Sequence, residues 1–179
     1  VVYAQYRRWN RIRSCPGAEA SLAYEAGIRW DTFFPCLRLL LPWVLLFLLL
    51  IAGIGLAFVP PARCGHLFRS CVLYFFWALV QQYLLQGMIL VRLRALNISR
   101  RATAFLAGCL FGCVHLPNPT LTVTSFVGGW ILSHVFLTYP NLFCVALAHS
   151  LVAGSMKCFL PPTLLPNLYV GIFYLYPPP

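Results

Sequence analysis

From about Leu37 to Val59 the chain reads LRLLLPWVLLFLLLIAGIGLAFV, an apolar run whose one charge, Arg38, sits at its start. As a helix rising about 1.5 Å per residue, such a run crosses a hydrocarbon layer of ~30 Å. A soluble fold cannot be built around it. Of the 179 residues, 61% are hydrophobic and 9% charged, whereas an ordinary soluble domain carries about 25% charged residues. The expectation is an all-α, polytopic transmembrane helix bundle of five to six spans, with no soluble domain.

Charge then sets orientation. Arg7, Arg8, Arg11, Arg13 and Arg29 precede the first span, and Arg92, Arg94, Arg100 and Arg101 follow the second. With the N-terminus cytoplasmic both clusters fall inside, leaving Arg63, Arg69 and Lys157 outside, as the positive-inside bias favours. The net charge of +10 therefore reads as a topology signal with membrane lipid as the partner, headgroup contact included. It does not read as a nucleic-acid surface.

Residues 1–35 form a basic interfacial segment, and residues 36–179 the transmembrane helical domain. The apolar run after the lead is too long for a signal peptide and has no small-residue cleavage site. The opening on Val rather than Met fits a piece of a longer chain. Pro42 is placed to kink the first span. A second span is expected from about Leu67 to Val91, after the turn PPARCGHLFRS. A third, from Ala102 to His115, is short and stops at Pro117-Asn118-Pro119, where two prolines remove backbone donors, so a broken or half-span is expected. The fourth covers about Thr120 to Thr138 and the fifth Leu142 to Met156. The proline-interrupted tail is left open as a sixth.

Polar side chains in apolar helices mark where function should be sought, because each needs a partner or water. They are Gln81, Gln82 and Gln86 on the second span, His115 at the end of the third, His134 on the fourth and His149 on the fifth. Counting helical rise from the inner ends puts Gln81, His115 and His149 roughly 10 to 20 Å deep, in one layer that His134 fits less well. Each also has a plain structural use. Glutamines bond neighbouring helices for about 0.6 kcal/mol, His115 can cap carbonyls freed by the prolines, and His134 and His149 can serve as interhelical donors.

The order of these residues carries a resemblance. Gln81-Gln82-Tyr83-Leu84-Leu85-Gln86, then Phe111-Gly112-Cys113-Val114-His115, then His149-Ser150-Leu151-Val152-Ala153 is similar to the EExxxR, FxxxH and HxxxN/D motifs of the CPBP (CAAX-protease and bacteriocin-processing) family of intramembrane proteases. The resemblant core covers about residues 67–155 and includes LPNPTLTVTSFVGGWIL after His115. It implies an intramembrane endopeptidase acting on a membrane-associated peptide or protein, in a multi-pass protein expected in a bacterial inner membrane. The catalytic set it implies here is Gln81, Gln82, Gln86, His115 and His149, in which the family's glutamate activates a water that the histidines hold, with or without a metal.

The departures from the motifs are specific. Gln81 and Gln82 stand at the glutamate positions, Gln86 at the arginine, and Ala153 where an amide or carboxylate is usual. An amide cannot take a proton at neutral pH, and from Thr32 to Pro179 the chain has no carboxylate side chain. Two readings follow. One is an endopeptidase with an altered site, in which a histidine with a reference pKa near 6.5 serves as base. The other is a catalytically inactive relative that binds a membrane peptide or partner protein in the same polar cavity. A haem or ion-handling bundle using His115, His134 and His149 is a third, with only the histidines behind it.

A divalent metal on His115 and His149 would have two ligands, against the three or four usual for zinc. Cys109 and Cys113 are available as supplements, although cysteine in an apolar helix ordinarily packs as a small hydrophobe. The eight cysteines, Cys15, Cys36, Cys64, Cys71, Cys109, Cys113, Cys144 and Cys158, form no CxxC pair and no disulfide framework. Gly108 and Gly112, with Gly128 and Gly129, allow close helix approach and place the third span at the bundle centre. The Asn97-Ile98-Ser99 sequon falls in a loop assigned to the cytoplasm, where it would not be glycosylated.

Overall fold

The computed structural model describes residues 23–58 and 67–176, and its regular structure there is helical throughout. Helix α1 is Phe33–Phe58, α2 is Leu67–Arg94, α3 Arg100–Cys113, α4 Pro119–Phe136, α5 Leu142–Phe159, and a short α6 is Ile172–Leu175. Three of them, α1, α2 and α5, are long and apolar enough to cross a membrane. Their outer faces have no protein to cover them: Leu49 is 70% exposed, Leu56 83% and Phe68 83%. Apolar surface on this scale belongs against lipid, and the chain is an integral membrane protein.

Local chemistry sets the boundaries. Helix α1 runs unbroken through Pro42. Helix α2 opens into a π-helical stretch at Tyr83–Leu90, straight after Gln81 and Gln82. It ends where Asn97 turns left-handed, at φ 56°, a conformation asparagine tolerates better than most side chains. Ser99 then caps α3 by accepting from the Ala102 amide at 3.2 Å, and Asn118 caps α4 through the Leu121 amide with Pro119 at the first helical position. Asn141 caps α5 by accepting from the Cys144 amide at 2.9 Å.

The helices group as a packet of three and a hairpin of two. In the packet, α1 and α2 both lie along α5, whose small residues Ala146, Ala148, Ala153 and Gly154 are buried. A Cβ on Gly154 would stand 2.5 Å from Cys71 Sγ on α2. In the hairpin, α3 and α4 are in close contact along their length. A Cβ on Gly108 would meet the Phe126 carbonyl oxygen and Trp130 amide at 2.8 Å, and one on Gly112 the Thr122 carbonyl oxygen at 3.0 Å. The GxxxG face thus presses on α4 alone rather than on a bundle centre. Of the two glycines on α4 only Gly129 is in close contact, against Phe111, while nothing lies within 4 Å of a Cβ at Gly128.

Packet and hairpin touch only sparsely, and this leaves room between them. At one end the lead residues are tied to the start of α5: Leu142 N–H donates to Gly27 O at 2.8 Å, Asn141 Nδ2 to Arg29 O at 2.6 Å, and Trp30 stacks on Phe143 with ring centroids 5.0 Å apart. Arg29 pairs with Asp31, and that hydrogen bond holds the Asp31 carboxyl below the usual carboxylate range. Arg92, Arg94, Arg100 and Arg101 lie at this same end. The opposite end carries Arg69 and Lys157. Arg7, Arg8, Arg11, Arg13 and Arg63 fall outside the described residues, as do Cys15, Cys64 and the turn before α2.

After α5 the tail contains the four-residue α6 and, among the described residues, is otherwise non-helical. It folds back onto the α3–α4 turn. Leu160 and Leu165 join Ile51, Leu121 and Met156 in an apolar cluster there.

Candidate functional site

The space between packet and hairpin is a cavity of about 770 Å³ whose wall is mostly aliphatic and aromatic. Gln81, His115 and His149 reach it from α2, the end of α3 and α5, with Tyr74 and Thr124 as further polar neighbours. The layer expected from helical rise is therefore present as a place, although its members are not equivalent.

His115 owes its position to the way α3 ends. The His115 amide bonds back to Gly112 O at 2.9 Å, a tighter turn than the α-helical bond to Phe111 O. The Phe111 carbonyl is left without its usual donor, and the His115 ring caps it, Nδ1 to oxygen at 2.6 Å. A carbonyl only accepts, so Nδ1 carries the proton. The lone pair of the neutral ring is on Nε2.

His149 has the reverse arrangement. Its Nδ1 lies 3.0 Å from Gln82 Nε2, and an amide nitrogen only donates, so Nδ1 is the acceptor and the ring proton is on Nε2. Gln82 Oε1 in turn accepts from Gln86 Nε2 at 3.0 Å. Gln82 and Gln86 are both completely buried and stand behind the cavity wall. Their relay orients His149, and its far end is unfinished, since Gln86 Oε1 has no partner.

Gln81 faces the other way. It is partly exposed, lines the cavity, and accepts from Tyr74 O–H at 3.5 Å, the long limit for such a bond. The Phe111 ring stands edge to face with both imidazoles, at 4.9 Å from His115 and 5.6 Å from His149. Tyr74 packs on His149 in the same manner at 5.6 Å. Ala153, one turn beyond His149, also lines the cavity. It contributes volume where a polar group would have contributed a donor.

His134 is exposed on α4 and is not part of this wall, which removes the three-histidine haem arrangement. The metal reading fails on donor chemistry. His149 Nδ1 is already engaged, His115 Nδ1 carries a proton, and one imidazole lone pair is left for an ion that takes three or four ligands. Cys113 reaches the cavity while Cys109 does not, and among the described residues no three His, Cys, Asp or Glu side chains converge as a ligand set.

Two contributors escaped the sequence reading. Tyr74 lies seven residues before Gln81, two helical turns, so its face was available from spacing. Tyr169 and its neighbours in the tail gave no such signal, because their place on the wall depends on a loop folding back.

The chain's residues 38–154 match the family described as Type II CAAX prenyl endopeptidase Rce1-like. The match extends upstream of the motif-bearing core 67–155 and takes in α1 from Arg38 onward. No curated protein and no solved structure gives a significant match.

Proposed function

The chain belongs to the Rce1-like family of type II CAAX prenyl endopeptidases, and from that premise we propose that its cavity receives an apolar, membrane-associated peptide, prenylated or not, and holds it without hydrolysing it. The observation that carries this reading is the placement of the amides. At the two positions where the motif has glutamates, Gln81 faces the cavity and Gln82 is spent on orienting His149, and among the described residues no carboxylate lines the cavity wall. A general base contributes about 10²–10⁴-fold to such a reaction, and an amide cannot act as one.

What these residues can do is bind. The Gln81 amide N–H₂ and the His149 Nε2–H are donors suited to a peptide carbonyl, and the aliphatic wall suits its side chains or a lipid group. We place the basic end of the bundle in the cytoplasm, with Arg29, Arg92, Arg94, Arg100 and Arg101 at the headgroups. We place α3 and α4 in the membrane beside the three longer helices, giving five crossings interrupted at the Leu116–Pro119 turn. A bacterial inner membrane suits this layout.

Hydrolysis is the second reading, favoured by one observation: His115 Nε2 keeps a free lone pair at the cavity, so a water there has a base available. Purified protein in lipid nanodiscs with a farnesylated fluorescent peptide decides between the two. Saturable binding with the peptide intact supports the first reading. Cleavage that His115→Gln abolishes replaces it with the second, and absence of binding removes both.

A further inference from the structure

The tail meets the α3–α4 turn through its main chain. Asn118, completely buried, donates from Nδ2 to Asn167 O at 3.1 Å and to Tyr169 O at 3.3 Å. Gly171 N–H donates to Leu116 O at 2.8 Å. The segment bends at Leu168, where the Tyr169 amide donates to Asn167 Oδ1 at 3.0 Å, and the bend brings the Asn167 and Tyr169 carbonyls within reach of one amide nitrogen. Between and beside them Leu168, Tyr169 and Val170 line the cavity. The turn that reads this backbone is joined to the site, because Asn118 N–H bonds to His115 O at 3.1 Å.

The tail contributes main-chain groups to all three bonds, and the Asn167 side chain closes the bend that aligns two of them. A side-chain amide that satisfies two carbonyls two residues apart, and a carbonyl that takes an N–H two residues further on, will accept another chain that makes the same Asn-closed bend. Recognition by main-chain bonds with pockets for alternate side chains is a general way to hold a peptide. Gly171, at φ 58° and ψ −138°, follows the bend in a conformation that few side chains tolerate.

We propose that the α3–α4 turn is a backbone-reading clamp for an apolar peptide bent as Asn167–Gly171 is, and that this segment of the chain occupies it and competes with peptides from outside. The proposal rests on the reading of the cavity as a peptide site and adds its self-occupancy. Entry of a peptide then requires the strap from Leu160 to Gly171 to lift from the turn, which Thr120 also holds through Leu164 O.

The test uses the whole chain in nanodiscs and a fluorescein-labelled synthetic copy of residues 164–173 as probe. Leu168→Ser with Val170→Ser weakens the seat of the tail and leaves the turn untouched. Both side chains are half-buried, and unchanged helical circular dichroism confirms the fold. If the tail fills the clamp nine-tenths of the time, freeing it tightens probe binding about tenfold. Adding Asn118→Ser, which keeps an oxygen to cap α4 and removes the amide donors, then returns binding to the starting level or below.

No tightening in the tail variant, or tightening that survives Asn118→Ser, overturns the clamp. The farnesylated peptide run in parallel separates the two readings. If it binds and the tail variant leaves both its affinity and the probe's unchanged, the clamp is wrong and the cavity's role stands. If the probe behaves as described while the farnesylated peptide does not bind, the clamp stands and the lipid-peptide reading falls.

Discussion

Gln82 donates its side-chain amide to His149 Nδ1 at 3.0 Å, and this bond fixes which nitrogen of the imidazole carries the proton. His115 is fixed the opposite way by the Phe111 carbonyl at 2.6 Å. Two histidines beside one cavity are therefore held in different tautomers, one by Gln82 behind the wall and the other by the main chain of Phe111. One offers a donor and the other an acceptor.

This is visible by nitrogen NMR of histidine-labelled protein in lipid. His149 is expected as the Nε2–H tautomer and His115 as the Nδ1–H tautomer. Gln82→Leu should release His149 into a mixture while leaving His115 unchanged, and should lower stability by about 1 kcal/mol, the net worth of a buried hydrogen bond. Identical tautomers in the native protein would contradict the geometry.

Gln81→Glu and Gln82→Glu should behave differently, although they are neighbours in sequence. The first puts a carboxylate on the cavity wall and should raise cleavage of a membrane peptide by about 10²–10⁴-fold over the native protein. The second puts one in a fully buried position and should cost about 1–3 kcal/mol of stability with little cleavage. A peptide-release assay and a thermal melt read the two effects. Greater activity in Gln82→Glu would show that the roles of the two positions are reversed.

Gln86 Oε1 is buried without a partner, so the Gln82–Gln86 bond is an incomplete substitute for an ion pair. Gln82→Glu combined with Gln86→Arg should recover most of the stability that either substitution loses alone, with a coupling energy of about 0.5–3 kcal/mol in a double-mutant cycle. Additive losses would mean that the two side chains do not share one environment.

Gly112 lies against the backbone and side chain of α4, whereas Gly128 has open space around it. Gly112→Val should destabilise the hairpin by about 1–3 kcal/mol, the usual cost of overpacking, and Gly128→Val should leave the melting temperature nearly unchanged while reducing the volume available to a bound peptide. Equal effects on stability would argue against the hairpin packing.

Much of the layout follows from residue order. The apolar run around Leu37–Val59 became α1, Phe33–Phe58, and the run from Leu67 became α2, Leu67–Arg94, because apolar length alone specifies a membrane helix. Phe111 and His115 are four apart, so their contact was local, although the carbonyl that His115 caps is freed by the turn of its own amide to Gly112 and not by a proline. The tail was not readable. Its apolar residues suit a membrane crossing by composition, yet main-chain bonds to Leu116 and Asn118 hold it against the turn.

By itself the sequence determined that this is a membrane helix bundle, and which few polar side chains it carries, since hydropathy and residue identity are properties of the chain alone. Tertiary structure decided what Gln81 and Gln82 each do. Adjacent residues on a helix point about 100° apart, so one of the pair must turn away from any surface the other faces. Packing of α2 against α5, through Gly154 and Cys71, sets that rotation. It gave the cavity to Gln81 and His149 to Gln82.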